Sequence, residues 1–383
     1  MESDGVIAEI KTDIVKEIIG GYLDTVVEEN ERRQTEKFHE QIKRRNKMID
    51  SLGQLVVLQE LKEGEFGPIL LVGCTNEQEK QKLYVLKCYS KQKIEEHSLF
   101  KYITQEKNLL RSLYHPFVME YYKSFKDEHY LYSLVEFVQG EELYYAIREI
   151  GILSTEDTQF YIASIILVLE YLNTQGVIMR DLKPENFMVD TQGYLKLIDL
   201  VAAKVVKGRN IMTAKTYTLI GTPHYMAPEI IIGKGYTYTV SLYSLGINMF
   251  EFMCGYVPFG EKSEDPLEIY EEILNLELKY PRALKDKKAR KLMDQLLNKN
   301  EPDSRLGGPT FMSLKNNPWL EPINWDDLYE RRLDAPRFDR NLNKEGTEME
   351  IIRGIRHAKN CLDYLDEKLP LRNVGENKTF TNW

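Results

Sequence analysis

Met179-Arg180-Asp181-Leu182-Lys183-Pro184-Glu185-Asn186, followed thirteen residues later by Asp199, is the stretch from which the rest of the chain is read. Its spacing gathers two carboxylates, a lysine ammonium and a side-chain amide. Phosphoryl transfer needs mainly such positioning and charge stabilisation, with little covalent chemistry from the protein. Asp181 is the candidate to accept or orient the proton of an attacking hydroxyl, and Lys183 to neutralise the transferring phosphate. Asn186 would hold one Mg²⁺, and Asp199 the metals that bridge the phosphates.

Upstream, Glu63-Gly64-Glu65-Phe66-Gly67 lies between two expected strands, where missing side chains let backbone N–H groups approach nucleotide phosphates. Alone, such a loop is weak evidence. Lys87 follows on the third strand in Tyr84-Val85-Leu86-Lys87, and Glu106 on the next helix, so that a carboxylate can hold the lysine against the α and β phosphates. A surface lysine and a surface glutamate are the plain alternative, which the downstream motif outweighs. Glu229 in Ala227-Pro228-Glu229 is expected to pair with Arg305 in a structural role.

Sixty acidic against fifty-one basic residues give a net charge of -9, which argues against non-specific attraction to nucleic acid or anionic membrane. A basic peptide is the better-matched partner. Cys74, Cys88, Cys254 and Cys361 have neither zinc-ligand nor disulfide spacing and suit packing roles in a reducing compartment. Nowhere do eighteen uncharged apolar residues run together, so no membrane span is expected, and a soluble cytoplasmic protein is.

Val6, Ile7, Ile10, Ile14, Val15, Ile18 and Ile19 recur at helical spacing before Gly20-Gly21, and a second charged helix is read over 22–48. The stripe over 6–19 either packs on the chain's own core or docks a regulatory or scaffold partner. Apolar and β-branched runs at 55–58, 69–72 and 83–88 predict three strands. Helical periodicity returns over 95–113 and dominates from 155, with strand-like pieces at 187–189 and 195–198. The expected class is α+β, a small antiparallel β-lobe before a large helical lobe. A polar tail over 334–383, with a candidate helix near 348–366, ends in Phe380-Thr381-Asn382-Trp383.

Over roughly 52–335 and the final aromatic motif, the sequence resembles the AGC class of serine/threonine protein kinases, the cyclic-nucleotide-dependent kinases in particular. Tyr217-Thr218-Leu219-Ile220-Gly221-Thr222-Pro223-His224-Tyr225-Met226 and Phe252-Met253-Cys254-Gly255-Tyr256-Val257-Pro258-Phe259-Gly260 look closest to cGMP-dependent kinases of ciliates and their relatives. The resemblance implies a bilobal kinase-like fold divided into a helical extension (1–51), a small lobe (52–136), a large lobe (137–319) and an AGC-type tail (320–383). It implies ATP and Mg²⁺ as cofactors, with nucleotide contacts from Gly64, Phe66, Gly67, Ile69, Val85, Lys87, Glu136 and Asn186. Thr218 would be a phosphorylation site read by Arg180 and Lys204 through charge-assisted bonds, an unmodified loop threonine being the alternative. Glu142, Glu185 and Glu251 match positions that contact arginines preceding the phosphorylated residue, so the implied partner is a basic protein segment containing serine or threonine. Phe380 and Trp383 resemble a hydrophobic motif that folds back onto the small lobe and steadies the helix carrying Glu106. No cyclic-nucleotide-binding domain fits in the first fifty residues, so any such control is expected from another subunit or is lost.

Several positions depart from the family pattern. Lys62 replaces the first glycine of the phosphate loop, Val85 a small alanine, Val201 the glycine of the metal motif, Ser241 an anchoring aspartate and Tyr243 a tryptophan, while Met179 replaces a packing residue. Losing the anchor is expected to cost on the order of 1–3 kcal/mol through unsatisfied backbone donors. Valine in a left-handed conformation would cost about 1–2 kcal/mol. Two readings follow: a serine/threonine kinase acting on basic peptides, and a catalytically impaired pseudokinase serving as a scaffold. A ciliary assembly is compatible with the second, although nothing in the chain encodes that address.

Overall fold

The computed structural model describes residues 49–64, 66–75, 82–206, 211–308, 311–336, 358–368, 380 and 383. The stripe at 6–19 and the helix read over 22–48 lie outside the described residues. β1 (Leu55–Gly64), β2 (Gly67–Cys74) and β3 (Leu83–Ser90) extend each of the three predicted strands, and the sheet continues through β4 (Tyr121–Lys126) and β5 (Tyr130–Glu136). Their order is β1-β2-β3-β5-β4, antiparallel throughout. Alternate residues Leu55, Val57, Leu70, Val72, Leu86 and Leu134 bury one face of the pleat in a core of their own.

The helix expected over 95–113 is two helices, α1 (Lys91–Glu96) and α2 (Phe100–Ser112). Ser98 breaks the run at φ 56, and the turn lets Leu99 and Phe100 join Ile94, Ile103 and Phe380 in a separate apolar cluster. Burial of these side chains offsets the left-handed serine.

In the large lobe β6 (Gly140–Glu142) leads into α3 (Leu143–Ile150) and α4 (Thr155–Thr174). Ser154 starts α4 by accepting from the Asp157 N–H at 3.0 Å, and Glu156 and Asp157 complement the positive end of the helix. β7 (Val177–Ile178), β8 (Phe187–Asp190), β9 (Leu195–Leu197) and β10 (Lys204–Val205) follow, as a β6-β8-β9 sheet and a β7-β10 pair. α5 (Pro228–Ile232) and α6 (Thr239–Cys254) come next; α6 is buried along its whole length and is stopped by Gly255 at φ 81. α7 (Pro266–Asn275), α8 (Lys287–Leu296), α9 (Met312–Lys315) and α10 (Trp325–Tyr329) complete the lobe.

The tail returns to the small lobe. β11 (Lys359–Asn360) adds a sixth strand on the free edge of β1, with Val56 opposite Asn360, and α11 (Cys361–Lys368) buries Cys361 and Leu365 in the small-lobe core. The helix read near 348–366 thus begins at 361 in its described part, because 359–360 satisfy an otherwise open edge. All four cysteines are buried, and none forms a disulfide among the described residues. Among the described residues no helix is long and apolar enough to cross a membrane.

Candidate active site

β1 and β2 meet at Gly64 and Gly67, which lie opposite each other in register. A Cβ on Gly67 would stand 2.8 Å from the Cys88 carbonyl oxygen, and one on Gly64 would stand 2.9 Å from the Gly67 carbonyl oxygen. Both positions therefore require glycine, which leaves bare backbone where the two strands meet. Ile69 pairs with Lys87 across β2 and β3, Val85 is buried opposite Val135, and Phe66 packs near Tyr89 and Ile94.

The Lys87 Nζ lies 3.6 Å from Glu106 Oε1 and donates to the Ile198 carbonyl oxygen at 3.3 Å, one residue before Asp199. Glu106 is 3% exposed. Burial pushes its carboxyl pKa up, and the nearby Lys87 ammonium opposes that rise. Glu136 has its carboxylate engaged elsewhere: one oxygen accepts from Lys196 Nζ and from the Glu120 N–H, both at 2.9 Å. Its side chain braces the junction between the lobes.

Asp181 is held through both carboxylate oxygens. Oδ1 accepts from the Thr222 N–H at 2.8 Å, while Oδ2 lies 3.4 Å from Lys183 Nζ and accepts from Asn186 Nδ2 at 3.3 Å. Asn186 also donates to the Asp181 carbonyl at 2.8 Å, and Lys183 to the Thr222 hydroxyl at 2.7 Å. The Ile198 N–H donates to the Asn186 carbonyl at 2.9 Å, tying the loop to the strand end that carries Asp199. Buried Asn248 on α6 donates to the Leu182 carbonyl at 3.0 Å. Thr222 and Asn248 have no role in the sequence reading. Thr222 was legible only as part of the Gly221-Thr222-Pro223 stretch, and Asn248 left no signal.

The penalty expected at Val201 is corrected, and Ser241 makes a bond of another kind. Among the described residues the non-glycine positions at positive φ are Ser98, Phe311 and Arg331, so Val201 is not left-handed. Its N–H donates to Asp199 Oδ1 at 2.8 Å, which fixes the carboxylate without glycine's range. Ser241 donates its hydroxyl to the Met179 carbonyl at 2.5 Å, a bond to an acceptor of the loop and not to the backbone donors that an aspartate would meet.

The three acids implied to contact substrate arginines have different surroundings. Glu142 is ion-paired, its Oε1 2.8 Å from Lys62 Nζ. Glu185 has a buried Oε2 with no hydrogen-bond partner among the described residues, and burial raises its pKa. Glu251 is 2% exposed, accepts from Tyr225 Oη at 2.6 Å and from Arg148 at 3.4 Å, and is pushed up to about 7 by burial. Tyr225 and Arg148 were not singled out in the sequence. Arg180 gives its guanidinium to the Ala202 and Ala203 carbonyls at 2.6 and 3.3 Å, Lys204 lies in β10, and Thr218 is exposed with its carbonyl accepting from Tyr236 Oη at 2.6 Å. Arg180 is therefore engaged with backbone carbonyls.

The family model described as protein kinase domain matches residues 55–320. The chain belongs to the protein kinase family. It is 40% identical over 304 residues to a cGMP-dependent protein kinase of Plasmodium berghei, covering 79% of this chain and 34% of that protein. To a cGMP-dependent protein kinase of Toxoplasma gondii it is 39% identical over 325 residues, 84% of this chain and 30% of that protein. To a cAMP-dependent protein kinase catalytic subunit of Dictyostelium discoideum it is 38% identical over 275 residues, 71% and 40% of the two chains. The chain thus spans between 30% and 40% of the length of these relatives.

The kinase domain is buttressed at two places distant from the catalytic loop. Arg305 grips Glu229 with both terminal nitrogens, one at 2.9 Å, and donates to the Thr239 and Asn298 carbonyls, while its guanidinium lies 5.0 Å from the Tyr243 ring centre. Beyond the matched span, Phe380 is buried edge-on to Phe100 at 5.0 Å. The Trp383 indole donates to the Phe125 carbonyl at 2.8 Å and lies under Lys107 Nζ at 4.3 Å. Phe100 and Lys107 belong to α2, the helix that carries Glu106.

Proposed function

We propose that this chain is a serine/threonine protein kinase that moves the γ-phosphoryl group of ATP, with Mg²⁺, to serine or threonine in basic protein segments. One observation carries the proposal: Asp181 is fixed through both oxygens by Thr222, Lys183 and Asn186. A carboxylate held in this way is placed to accept or orient the proton of one incoming hydroxyl. Mg²⁺ is ordinarily bound by one or two protein side chains together with phosphate oxygens and water. Asp199 and Asn186, linked through the Ile198 N–H, suit that sparse ligation.

Bound Mg-ATP would supply the phosphoryl group and the metal's charge. Lys87, held by Glu106, would steady the α and β phosphates, the backbone at Gly64 and Gly67 would cradle them, and Lys183 would neutralise charge on the group in transit. Val201 and Ser241, two of the replacements that favoured a scaffold reading, each make a hydrogen bond to this set or to the loop that carries it. Glu142 and Glu185 offer negative charge to a basic substrate, and exposed Thr218 is the candidate regulatory phosphosite. Residues 6–19 are the candidate docking stripe for a regulatory or scaffold partner, and the cytoplasm is the expected compartment.

Thermal melting with Mg-ATP tests the assignment. A ligand at a hundred times its Kd stabilises by about 2.7 kcal/mol, a shift of several degrees for a domain of this size. The shift is expected in the wild type and absent in Asp199→Ala. No shift in a folded sample at millimolar nucleotide would refute the proposal.

A further inference from the structure

We propose that Lys62 is a tethered occupant of the basic-residue subsite on Glu142, so that a substrate cation must displace a lysine of the chain itself. This rests on the kinase reading above and concerns how that site admits its peptide.

Lys62 is carried by β1, two residues before Gly64 and opposite Ile69, just past an irregularity in the β1–β2 pairing between Glu60 and Lys62. Glu142 closes β6 in the large lobe, and the 2.8 Å contact between them joins residues eighty positions apart. The ion pair therefore crosses the mouth of the cleft, from the strand that leads into the phosphate loop to the start of α3. Glu142 occupies the N-cap position of α3 yet makes no side-chain cap bond, so its carboxylate is not committed to its own helix.

Accessibility decides what the pair can do. The Lys62 side chain is 59% exposed and that of Glu142 22% exposed, so solvent and a peptide can reach the contact. An exposed lysine pair is weak and salt-screened. A guanidinium presents two parallel donors in a planar fork, whereas an ammonium is a point charge on a flexible stem. Arginine can thus displace Lys62, while a neutral side chain gains nothing by doing so. The tether then sets a threshold at this subsite that favours arginine. It also stands beside the phosphate loop, since Lys62, Glu63 and Gly64 pair in register with Ile69, Pro68 and Gly67.

The test is calorimetric binding, on the full chain at saturating Mg-ATP, of an arginine-containing peptide whose acceptor serine is replaced by alanine and of its arginine-free counterpart. Four proteins are compared: wild type, Lys62→Met, Glu142→Gln and the double variant. Lys62→Met keeps the stem and removes the charge, and Lys62→Gln serves as a second probe should the first melt low. Lys62→Met is expected to tighten the arginine peptide roughly two- to five-fold, the range of an exposed pair converted at about 1.4 kcal/mol per decade. In the Glu142→Gln background the same change should have no effect, since the lysine acts through that carboxylate. An unchanged or weaker affinity in Lys62→Met and Lys62→Gln, or an effect that persists without Glu142, overturns the proposal while leaving the kinase reading intact. Equal binding of the two peptides by wild type and Glu142→Gln, or no binding by any of the four proteins, overturns the basic-substrate reading and this proposal together.

Discussion

The Ser241 hydroxyl donates to the Met179 carbonyl oxygen at 2.5 Å, from the third residue of α6 to the residue that opens the catalytic loop. Both residues are buried, so the carbonyl has little recourse to water. Ser241→Ala should cost about 1–3 kcal/mol of stability by leaving that carbonyl without this donor. The melting temperature should fall by several degrees, and kcat should fall with it, because Arg180 and Asp181 follow directly. Ser241→Asp should also destabilise, since it sets a carboxylate against a carbonyl. An unchanged melting temperature in Ser241→Ala would show that the bond is unimportant.

Val201→Gly should not raise kcat. Val201 is not left-handed and its N–H already bonds Asp199, so glycine adds only freedom to the unfolded chain. The expected loss is about 0.5–1 kcal/mol, read as a lower denaturation midpoint. A glycine variant that turns over faster would reinstate valine as a burden on the metal motif.

What the sequence could convey follows from which interactions are local. The three glycine-loop strands, the helix carrying Glu106, and the residues Asp181, Lys183, Asn186 and Asp199 were legible because spacing or periodicity fixes each one. The break at Ser98 was not, because it depends on Phe380, almost three hundred positions away, to bury Leu99 and Phe100. Thr222, Tyr225, Arg148 and the Lys62–Glu142 contact were missed for the same reason: each acts on a partner distant in sequence. The strain expected at Val201 came from treating a replaced glycine as a lost conformation, whereas its backbone is not left-handed and its N–H bonds Asp199. At Ser241 the hydroxyl adds a bond to a loop carbonyl that the replacement alone did not reveal.

Glu251 should make stability pH-dependent. Burial raises its folded pKa to about 7 from an ordinary 4.5. The folded state therefore binds this proton more tightly than the unfolded chain does. The contribution is fully present below the unfolded pKa and is lost as pH rises from about 4.5 through 7. Glu251→Gln cannot ionise, so its stability relative to wild type should increase over that window, with a ceiling of roughly 3 kcal/mol. Chemical denaturation of both proteins at pH values across the window measures the difference. Parallel profiles would place the carboxyl pKa in the ordinary range.

Trp383→Ala should loosen α2 by removing the indole bond to Phe125 and the contact with Lys107. About 1–3 kcal/mol of stability should be lost. Because Glu106 is on the same helix, the KM for ATP should rise more than the KM for peptide. Equal changes in both would make the motif a general support with no preference for the nucleotide.

The central claim is that Asp181, gripped by Thr222, Lys183 and Asn186, handles the hydroxyl proton during phosphoryl transfer. Transfer of labelled γ-phosphate from Mg-ATP to an arginine-containing serine peptide, by wild type and by Asp181→Asn, tests it most directly. The account predicts label on serine with the wild type, at least a hundredfold less with Asp181→Asn, and Mg-ATP affinity within a few-fold between them. Equal labelling by both proteins, or none by a wild type that binds Mg-ATP and the peptide, would contradict it.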